Sequence, residues 1–190
     1  MSEFRAKVSK EFLSSEEVNY LISFAESLDN WETGGGPFWE NRVLNASNVY
    51  KNHDKNIGEL LYDIRLRTSK AISSLYNVNS VYPDITQIVR WFPGQEQPPH
   101  ADDMTNTEDN DWFHHREFGT IIYLNDDYSG GHTYYPQHQK EIKPERGMLA
   151  IHPGDTDHMH GVTKIEDKVR YTIAAFWSQD KEYFDGWSIP

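Results

Sequence analysis

The stretch "DITQIVRWFPGQEQPPHADD", residues 84–103, lies where the hydrophobic pattern of the chain changes. From about residue 82 onward apolar and polar residues alternate with a period of two, which is typical of β-strands. The stretch ends in His100-Ala101-Asp102, and side chains two apart in an extended strand lie on the same face. His100 and Asp102 are therefore a candidate metal-binding pair. With nine histidines and many aspartates in the chain, a chance spacing in a solvated loop is the alternative.

Downstream of this stretch the pattern predicts a series of short strands separated by Gly, Pro, Asp and Asn. The predicted strands cover residues 119–126, 131–136, 140–144, 147–153, 161–165 and 169–177, in addition to 84–92. Upstream, the pattern is helical. Ser14 and Glu17 form a capping box at the start of an amphipathic segment that ends near residue 28, and residues 57–78 carry a second apolar helical face.

Helices followed by a run of short strands predict a mainly β protein, an antiparallel sandwich or jelly roll with N-terminal helices packed on one side. A length of 190 residues suits a single domain. We expect residues 1–80 to be its helical support and residues 81–190 to form the jelly-roll core.

Composition excludes several classes of function. The net charge of −12 and the pI near 5.1 disfavour nucleic-acid binding. The absence of cysteine rules out disulfides, thiolate metal sites and a cysteine nucleophile, so any metal must be bound by imidazole and carboxylate. The first residues lack the apolar core of a signal peptide, and no run is long enough to cross a bilayer. We therefore expect a cytoplasmic protein without membrane partners.

A third metal ligand is available in "HPGDTDHMHGVTKIEDKVRYTIAAFW", residues 152–177. His152, His158 and His160 all lie there. Two histidines and one carboxylate that leave coordination positions open are the ligand set of non-haem Fe(II) oxygenases. The spacing alone leaves Asp102 or Asp103, and His160 or His158, as alternatives.

Taken in order, "QIVRWFPGQEQPPHAD", "GTIIYLNDDYSGGHTYYP", "IKPERGMLAIHPG", "HGV" and "VRYTIAAFW" resemble the 2-oxoglutarate (2OG) and Fe(II)-dependent dioxygenases, in their prolyl 4-hydroxylase-like branch. The resemblance spans about residues 85–177 and implies a double-stranded β-helix, the cupin-like jelly roll. It places the Fe(II) ligands at His100, Asp102 and His160. It places the residues that hold the far carboxylate of 2OG at Arg170 and Tyr123. An arginine fork suits a carboxylate, and a tyrosine hydroxyl adds a donor.

The sequence departs from the pattern of that branch at three places. Trp91 stands where a co-substrate-binding tyrosine is usual, and its ring N–H cannot accept a hydrogen bond. His132 follows a glycine pair where glutamate is common. Phe176 stands where tryptophan is usual, and strand parity predicts that Trp177 faces the opposite side of the sheet.

The function implied by the resemblance is hydroxylation of a prolyl residue in a peptide or protein, with O2 and 2OG as co-substrates and succinate and CO2 as products. The resemblance also suggests ascorbate as a cofactor. The alternatives are a hydroxylase of a free amino acid or other small molecule, a catalytically silent jelly-roll binding module, and a hydrolytic zinc site. In a hydrolytic zinc site Arg170 would have no evident function. The oligomeric state is not indicated.

The acidic interval 103–118 is predicted to be a loop, and its Trp112 and Phe113 are candidates for a lid over the site. Five other histidines are expected to be structural or on the surface. They are His114, His115, His132, His138 and His152.

Overall fold

In a computed structural model of the chain, residues 2–104 and 113–189 are described. The helices are α1 Ser15–Ser27, α2 Ala46–Asn48 and α3 Lys55–Tyr76, with a π-helix at Val49–His53 and 3-10 helices at Pro37–Trp39, Pro136–His138, Thr156–His158 and Lys181–Tyr183. The strands are β1 Lys7–Ser9, β2 Val43–Asn45, β3 Tyr82–Trp91, β4 Gln97–His100, β5 Phe118–Tyr123, β6 Thr133–Tyr135, β7 Lys140–Ile142, β8 Leu149–Pro153, β9 His160–Val162 and β10 Arg170–Ser178. None of the helices within residues 2–104 and 113–189 is both long and apolar enough to cross a membrane.

The strands form two antiparallel sheets, as the prediction of a jelly roll requires. The larger has the order β1-β8-β5-β10-β3-β2, and the smaller has the order β4-β9-β6-β7. Apart from the hairpin of β6 and β7, neighbouring strands are distant in sequence, and the chain crosses repeatedly between the sheets. The predicted jelly-roll class with N-terminal helices is confirmed.

The two predicted helices are present and cover one face of the larger sheet. The capping box forms at α1, where Glu17 N–H donates to the Ser14 hydroxyl and Ser14 N–H donates to the Glu17 carboxylate. A cap of this kind contributes roughly 0.5–2 kcal/mol. The apolar faces of both helices enter one core with the sheet, which includes Val18, Leu21, Ile57, Leu61, Ile64, Ile88, Ile122, Leu149 and Ile173.

Two strands, β1 and β2, were not predicted, and each is only three residues long. β1 pairs with β8 and β2 pairs with β3, so residues 1–80 supply both edges of the larger sheet as well as the helices. Segments this short carry too few alternations for a period to be recognised. The division of the chain at residue 80 stays a prediction.

Strand β10 shows the alternation that its sequence predicts. Tyr171, Ile173, Ala175 and Trp177 belong to the core beneath the helices. Arg170, Thr172, Ala174 and Phe176 therefore lie on the opposite face, towards the second sheet. The prediction that Trp177 faces away from Phe176 is confirmed, and Trp177 Nε1 donates a hydrogen bond to Thr120 Oγ1 at 2.9 Å.

The interval 103–118 is only partly described. Trp112 and the rest of 105–112 lie outside the described residues, so the lid stays a prediction. The end of the interval is fixed by Arg116, whose Cζ lies 3.7 Å from the Phe113 ring centroid and 4.0 Å from that of Phe176. Its Nε donates to Asp84 Oδ2 at 2.7 Å.

Candidate active site

The smaller sheet brings His100, Asp102 and His160 together. β4 pairs with β9 so that His100 lies opposite His160, and their ring centroids are 4.6 Å apart. Nε2 of each histidine lies 3.8 Å from Asp102 Oδ1. Among the described residues this is the only group of three His, Cys, Asp or Glu side chains whose ligand atoms all lie within 4.8 Å of one another.

The local backbone differs from the extended strand that was expected for His100 and Asp102. β4 ends at His100, and the chain then turns, with Met104 N–H donating to Ala101 O and Asp103 N–H donating to Gly154 O. The Asp102 carboxylate therefore approaches His100 because the chain turns, and not because the two side chains lie on the same face of one strand. Pro98 and Pro99 lie in β4 at the edge of the smaller sheet, where a strand tolerates residues without an N–H donor.

Both histidines present Nε2 to the space between them. His100 Nδ1 lies 3.2 Å from Pro98 O, and His160 Nδ1 lies 3.3 Å from His158 O. Because a carbonyl oxygen only accepts, each Nδ1 carries the proton and each Nε2 keeps a lone pair, which in His100 faces the Gln97 amide nitrogen at 3.4 Å. This is the tautomer that a metal-binding histidine requires, so the group fits a divalent cation.

The charges of the group also suit a metal. Burial alone would raise the pKa of Asp102, but His160, the hydrogen bond and charge of His152, and His100 hold that pKa well below its usual range. Burial, assisted by neighbouring His152 and opposed by Asp102, lowers the pKa of His160 to about 3. One carboxylate and neutral imidazoles are the protonation states in which these side chains bind Fe(II).

The two alternatives in the sequence occupy other positions. Within the described residues, the Asp103 carboxylate is not part of the candidate metal-binding group of His100, Asp102 and His160. His158 is buried with both ring nitrogens occupied: Nδ1 lies 2.7 Å from Asp155 Oδ1, and Nε2 accepts from Arg5 N–H at 3.1 Å. The geometry therefore favours Asp102 and His160.

Arg170 lies in the interior, and no carboxylate of the described residues forms an ion pair with it. Only 1% of it is exposed, and its Nε and Nη2 make no hydrogen bond to any described residue. Its Cζ is 5.4 Å from the ring centroid of Tyr123 and 5.5 Å from that of Trp91. Leaving a guanidinium buried and unpaired is costly, so this position calls for an anion such as a carboxylate.

Tyr123 is buried beside Arg170. Its hydroxyl lies 2.7 Å from Thr133 Oγ1. Burial raises the pKa of Tyr123 despite the opposing charge of Arg170, so the hydroxyl stays protonated and can donate. Gly119, next to Asp102, and Tyr123, next to Arg170, lie at opposite ends of one face of β5. The metal-binding group and the guanidinium therefore share one interior.

Tyr128 also lies near Arg170 in the interior. The sequence did not indicate this position for Tyr128. The Tyr128 hydroxyl is buried without a hydrogen-bond partner among the described residues, and burial raises its pKa while Arg170 opposes the shift. Gly131 makes room for both side chains, because a Cβ there would lie 2.8 Å from Tyr128 Cε2 and 3.0 Å from Arg170 Cδ. The segment 126–131 lacks periodicity, so its sequence gives no signal for an inward-facing tyrosine.

Trp91 takes part in a stack of charged and aromatic groups rather than acting as a hydrogen-bond partner. Arg42 is 2% exposed, and its Cζ lies 4.0 Å from the Trp91 ring centroid. Burial, together with the charge of Arg170, lowers the pKa of Arg42 to about 10. The replacement of tyrosine by Trp91 therefore comes with a second buried guanidinium near the first.

His152 differs from the expectation that it is merely structural or on the surface. Its Nε2 lies 3.0 Å from Asp102 Oδ2, and its ring centroid is 4.0 Å from that of His160. The other histidines of that group lie elsewhere; for example, His132 pairs with Glu141 and His115 stacks on Tyr183. His152 stands in an otherwise apolar buried strand, and that contrast is the signal by which it could have been found.

Comparisons with known proteins agree with this geometry. A family model described as the 2OG-Fe(II) oxygenase superfamily matches residues 86–178. Prolyl 4-hydroxylase 1 of Arabidopsis thaliana is 29% identical over 138 residues, which cover 70% of this chain and 47% of that protein. A putative prolyl 4-hydroxylase of Acanthamoeba polyphaga mimivirus is 30% identical over 149 residues, covering 72% and 59%. The chain thus matches about half to three-fifths of the length of these relatives.

Solved structures show the same fold. A viral collagen prolyl hydroxylase from Paramecium bursaria Chlorella virus-1, in complex with 2OG, superposes with a TM-score of 0.64 at 19% identity, covering 93% of this chain and 97% of the other. A prolyl-4-hydroxylase of Pseudomonas putida gives a TM-score of 0.62 at 14% identity, covering 93% and 94%.

The fold, the group of His100, Asp102 and His160 and these matches agree with the resemblance found in the sequence, since residues 86–178 match the 2OG-Fe(II) oxygenase superfamily. The relatives reported above carry prolyl 4-hydroxylase names, in agreement with the branch that the sequence predicts.

The metal-free protein is expected to lose stability on acidification, in part through His160. In the unfolded chain this side chain gains a proton near pH 6.5, whereas in the folded protein its pKa is about 3. The unfolded state therefore binds more protons in that window, and the free energy of unfolding falls as the pH drops from 6.5. Urea unfolding of chelator-treated protein at pH 6.5 and about pH 5 should show a loss roughly 1–2 kcal/mol larger for wild type than for His160→Gln. Equal losses would contradict this assignment.

Proposed function

We propose that the chain is a 2OG- and Fe(II)-dependent hydroxylase, in which His100, Asp102 and His160 bind the metal and Arg170 binds the far carboxylate of 2OG. One observation carries this proposal. A histidine-carboxylate-histidine group, whose ligand atoms lie within 4.8 Å of one another, shares one interior with a buried guanidinium that has no described anionic partner. Neither a silent binding module nor a hydrolytic zinc site needs both features.

The residues of the chain have distinct tasks in this reaction. When bound, Fe(II) and 2OG supply the oxidising chemistry that consumes O2, releases succinate and CO2 and inserts a hydroxyl group into the substrate. The Nδ1 hydrogen bonds of His100 and His160 keep each Nε2 directed at the metal. Arg170 orients the diacid, and Tyr123 and Tyr128 can each donate a hydroxyl hydrogen to the same carboxylate. Met148 and Ala150 pack beside Tyr123, and this apolar wall excludes water.

The substrate is proposed to be a prolyl residue in a peptide or protein. The supporting observation is that similar sequences and similar solved structures both carry prolyl hydroxylase names. One structural neighbour, from Trichoplax adhaerens, is described in complex with a peptide fragment of the hypoxia inducible factor. A cytoplasmic location and a role for ascorbate stay predictions.

Incubation with proline-containing peptides, 2OG and Fe(II) should add one oxygen atom to a proline, detected by fragment mass spectrometry. The matched control is the same peptide with that proline replaced by alanine, which should gain no oxygen. Succinate formation without any peptide oxidation would favour a hydroxylase of small molecules. If the protein binds the metal but forms no succinate with any substrate, the silent binding module becomes the better account.

A further inference from the structure

His152 connects the proposed metal site to a buried tyrosine. Its Nε2 lies 3.0 Å from Asp102 Oδ2, and its Nδ1 lies 3.1 Å from the Tyr135 hydroxyl. His152 is 1% exposed and Tyr135 is fully buried. Both ring nitrogens are therefore used, and both partners are shielded from water.

The direction of these hydrogen bonds follows from the chemistry of the two partners. A metal-bound carboxylate has no proton and can only accept, so His152 Nε2 must carry the hydrogen. Nδ1 then has a lone pair and accepts from Tyr135. Burial raises the pKa of Tyr135 well above its ordinary value, which keeps its hydroxyl protonated as a donor.

The two oxygens of Asp102 have separate partners. Oδ1 is the atom that lies 3.8 Å from Nε2 of both His100 and His160. Oδ2 points away from that pair and receives the His152 hydrogen bond. The contact also depends on Gly119, because a Cβ there would overlap both Asp102 Oδ2 and His152 Nε2. The backbone of β5 is thus shaped to let the two side chains meet.

From this geometry we infer that His152, oriented by Tyr135, is a positioning residue that restricts Asp102 to binding the metal through Oδ1 alone. The inference rests on the proposed metal site. By occupying Oδ2, His152 prevents the carboxylate from rotating to bind through both oxygens, and it keeps a coordination position open for 2OG or O2. Partners that hold a metal ligand in this way typically change metal affinity by about 10–100-fold when removed.

Titration of the chelator-treated protein with Co(II), followed by its visible absorption, tests the inference without requiring turnover. His152→Leu removes the donor and should weaken Co(II) binding by about 10–100-fold and alter the absorption spectrum. His152→Gln, whose amide nitrogen can reach Asp102, should bind within about threefold of wild type. Tyr135→Phe keeps the ring and removes only the hydroxyl, so it should weaken binding less than His152→Leu does.

The outcomes distinguish a wrong role for His152 from a wrong assignment of the metal site. Wild-type affinity in His152→Leu would overturn it, and so would equal weakening in His152→Leu and His152→Gln with a native thermal transition in both. His160→Ala is titrated in parallel. If it also binds Co(II) as wild type does, the proposed metal site is itself wrong; if it loses Co(II) while His152→Leu does not, only the role of His152 is refuted. His158→Gln, a buried histidine outside the group, should bind as wild type.

Discussion

Replacing His160 with alanine is expected to abolish the turnover of 2OG. The change removes one of two Nε2 lone pairs and leaves Asp102 with His100, too few ligands to hold Fe(II) in a fixed geometry. Metal affinity should fall by more than the roughly 10–100-fold that changes around metal ligands cost. The measurement is succinate formed from 2OG at saturating Fe(II).

A matched control is available two residues away. His158→Ala removes an equally buried histidine whose ring nitrogens bond to Asp155 and Arg5 instead of facing the metal-binding group. It should reduce stability and leave 2OG turnover largely intact at temperatures where it is folded. Loss of turnover in His158→Ala with normal turnover in His160→Ala would reverse the assignment of the third ligand.

Replacing Arg170 with alanine is expected to weaken 2OG binding while leaving metal binding in place. Truncating one partner of a buried charge pair costs about 2–5 kcal/mol, so the Kd for 2OG should rise by at least roughly 30-fold. Turnover should recover partly at high 2OG, because the metal still chelates the other end of the molecule. The affinity of metal-loaded protein for 2OG, measured by calorimetry without oxygen, gives the comparison.

Two further measurements make the Arg170 test specific. Arg170→Lys retains the charge and loses the planar fork, so it should fall between wild type and the alanine variant. A 2-oxo acid without the far carboxylate should bind wild type and Arg170→Ala about equally. If the alanine variant bound 2OG as tightly as wild type, another residue would have to hold the carboxylate, and Arg42, which also lies over the Trp91 ring, would be tested next.

Much of the fold could be predicted because its long elements have strong periodicity. The capping box at Ser14 fixes the start of α1, and β10 shows a clear alternation from Arg170 to Trp177. The short edge strands β1 and β2 were missed because three residues cannot establish a period. Their positions are determined by pairing with residues more than 40 positions away in sequence, which is information that no local pattern contains.

The ordered motifs of the resemblance predicted His100, Asp102 and His160, which the structure brings together, but they did not predict the residues around this group. Asp102 reaches the site through a turn rather than along a strand, which spacing alone could not distinguish. The interior is also lined by residues from separate parts of the chain. Tyr128 lies in the loop between β5 and β6, Arg42 directly before the edge strand β2, and His152 in β8. Their roles depend on long-range packing. Of the three, only His152 had a signal in the sequence, because it is a histidine in the otherwise apolar strand β8.

The most direct test of the central claim is an anaerobic titration of the metal-free protein with Fe(II) and 2OG, followed by the visible absorption that arises when a 2-oxo acid chelates Fe(II). The account predicts that the absorption appears only when both are present, saturates at one Fe(II) per chain and is lost in His160→Ala. A folded wild-type protein that develops no such absorption, or a His160→Ala variant that develops it fully, would contradict the proposed site.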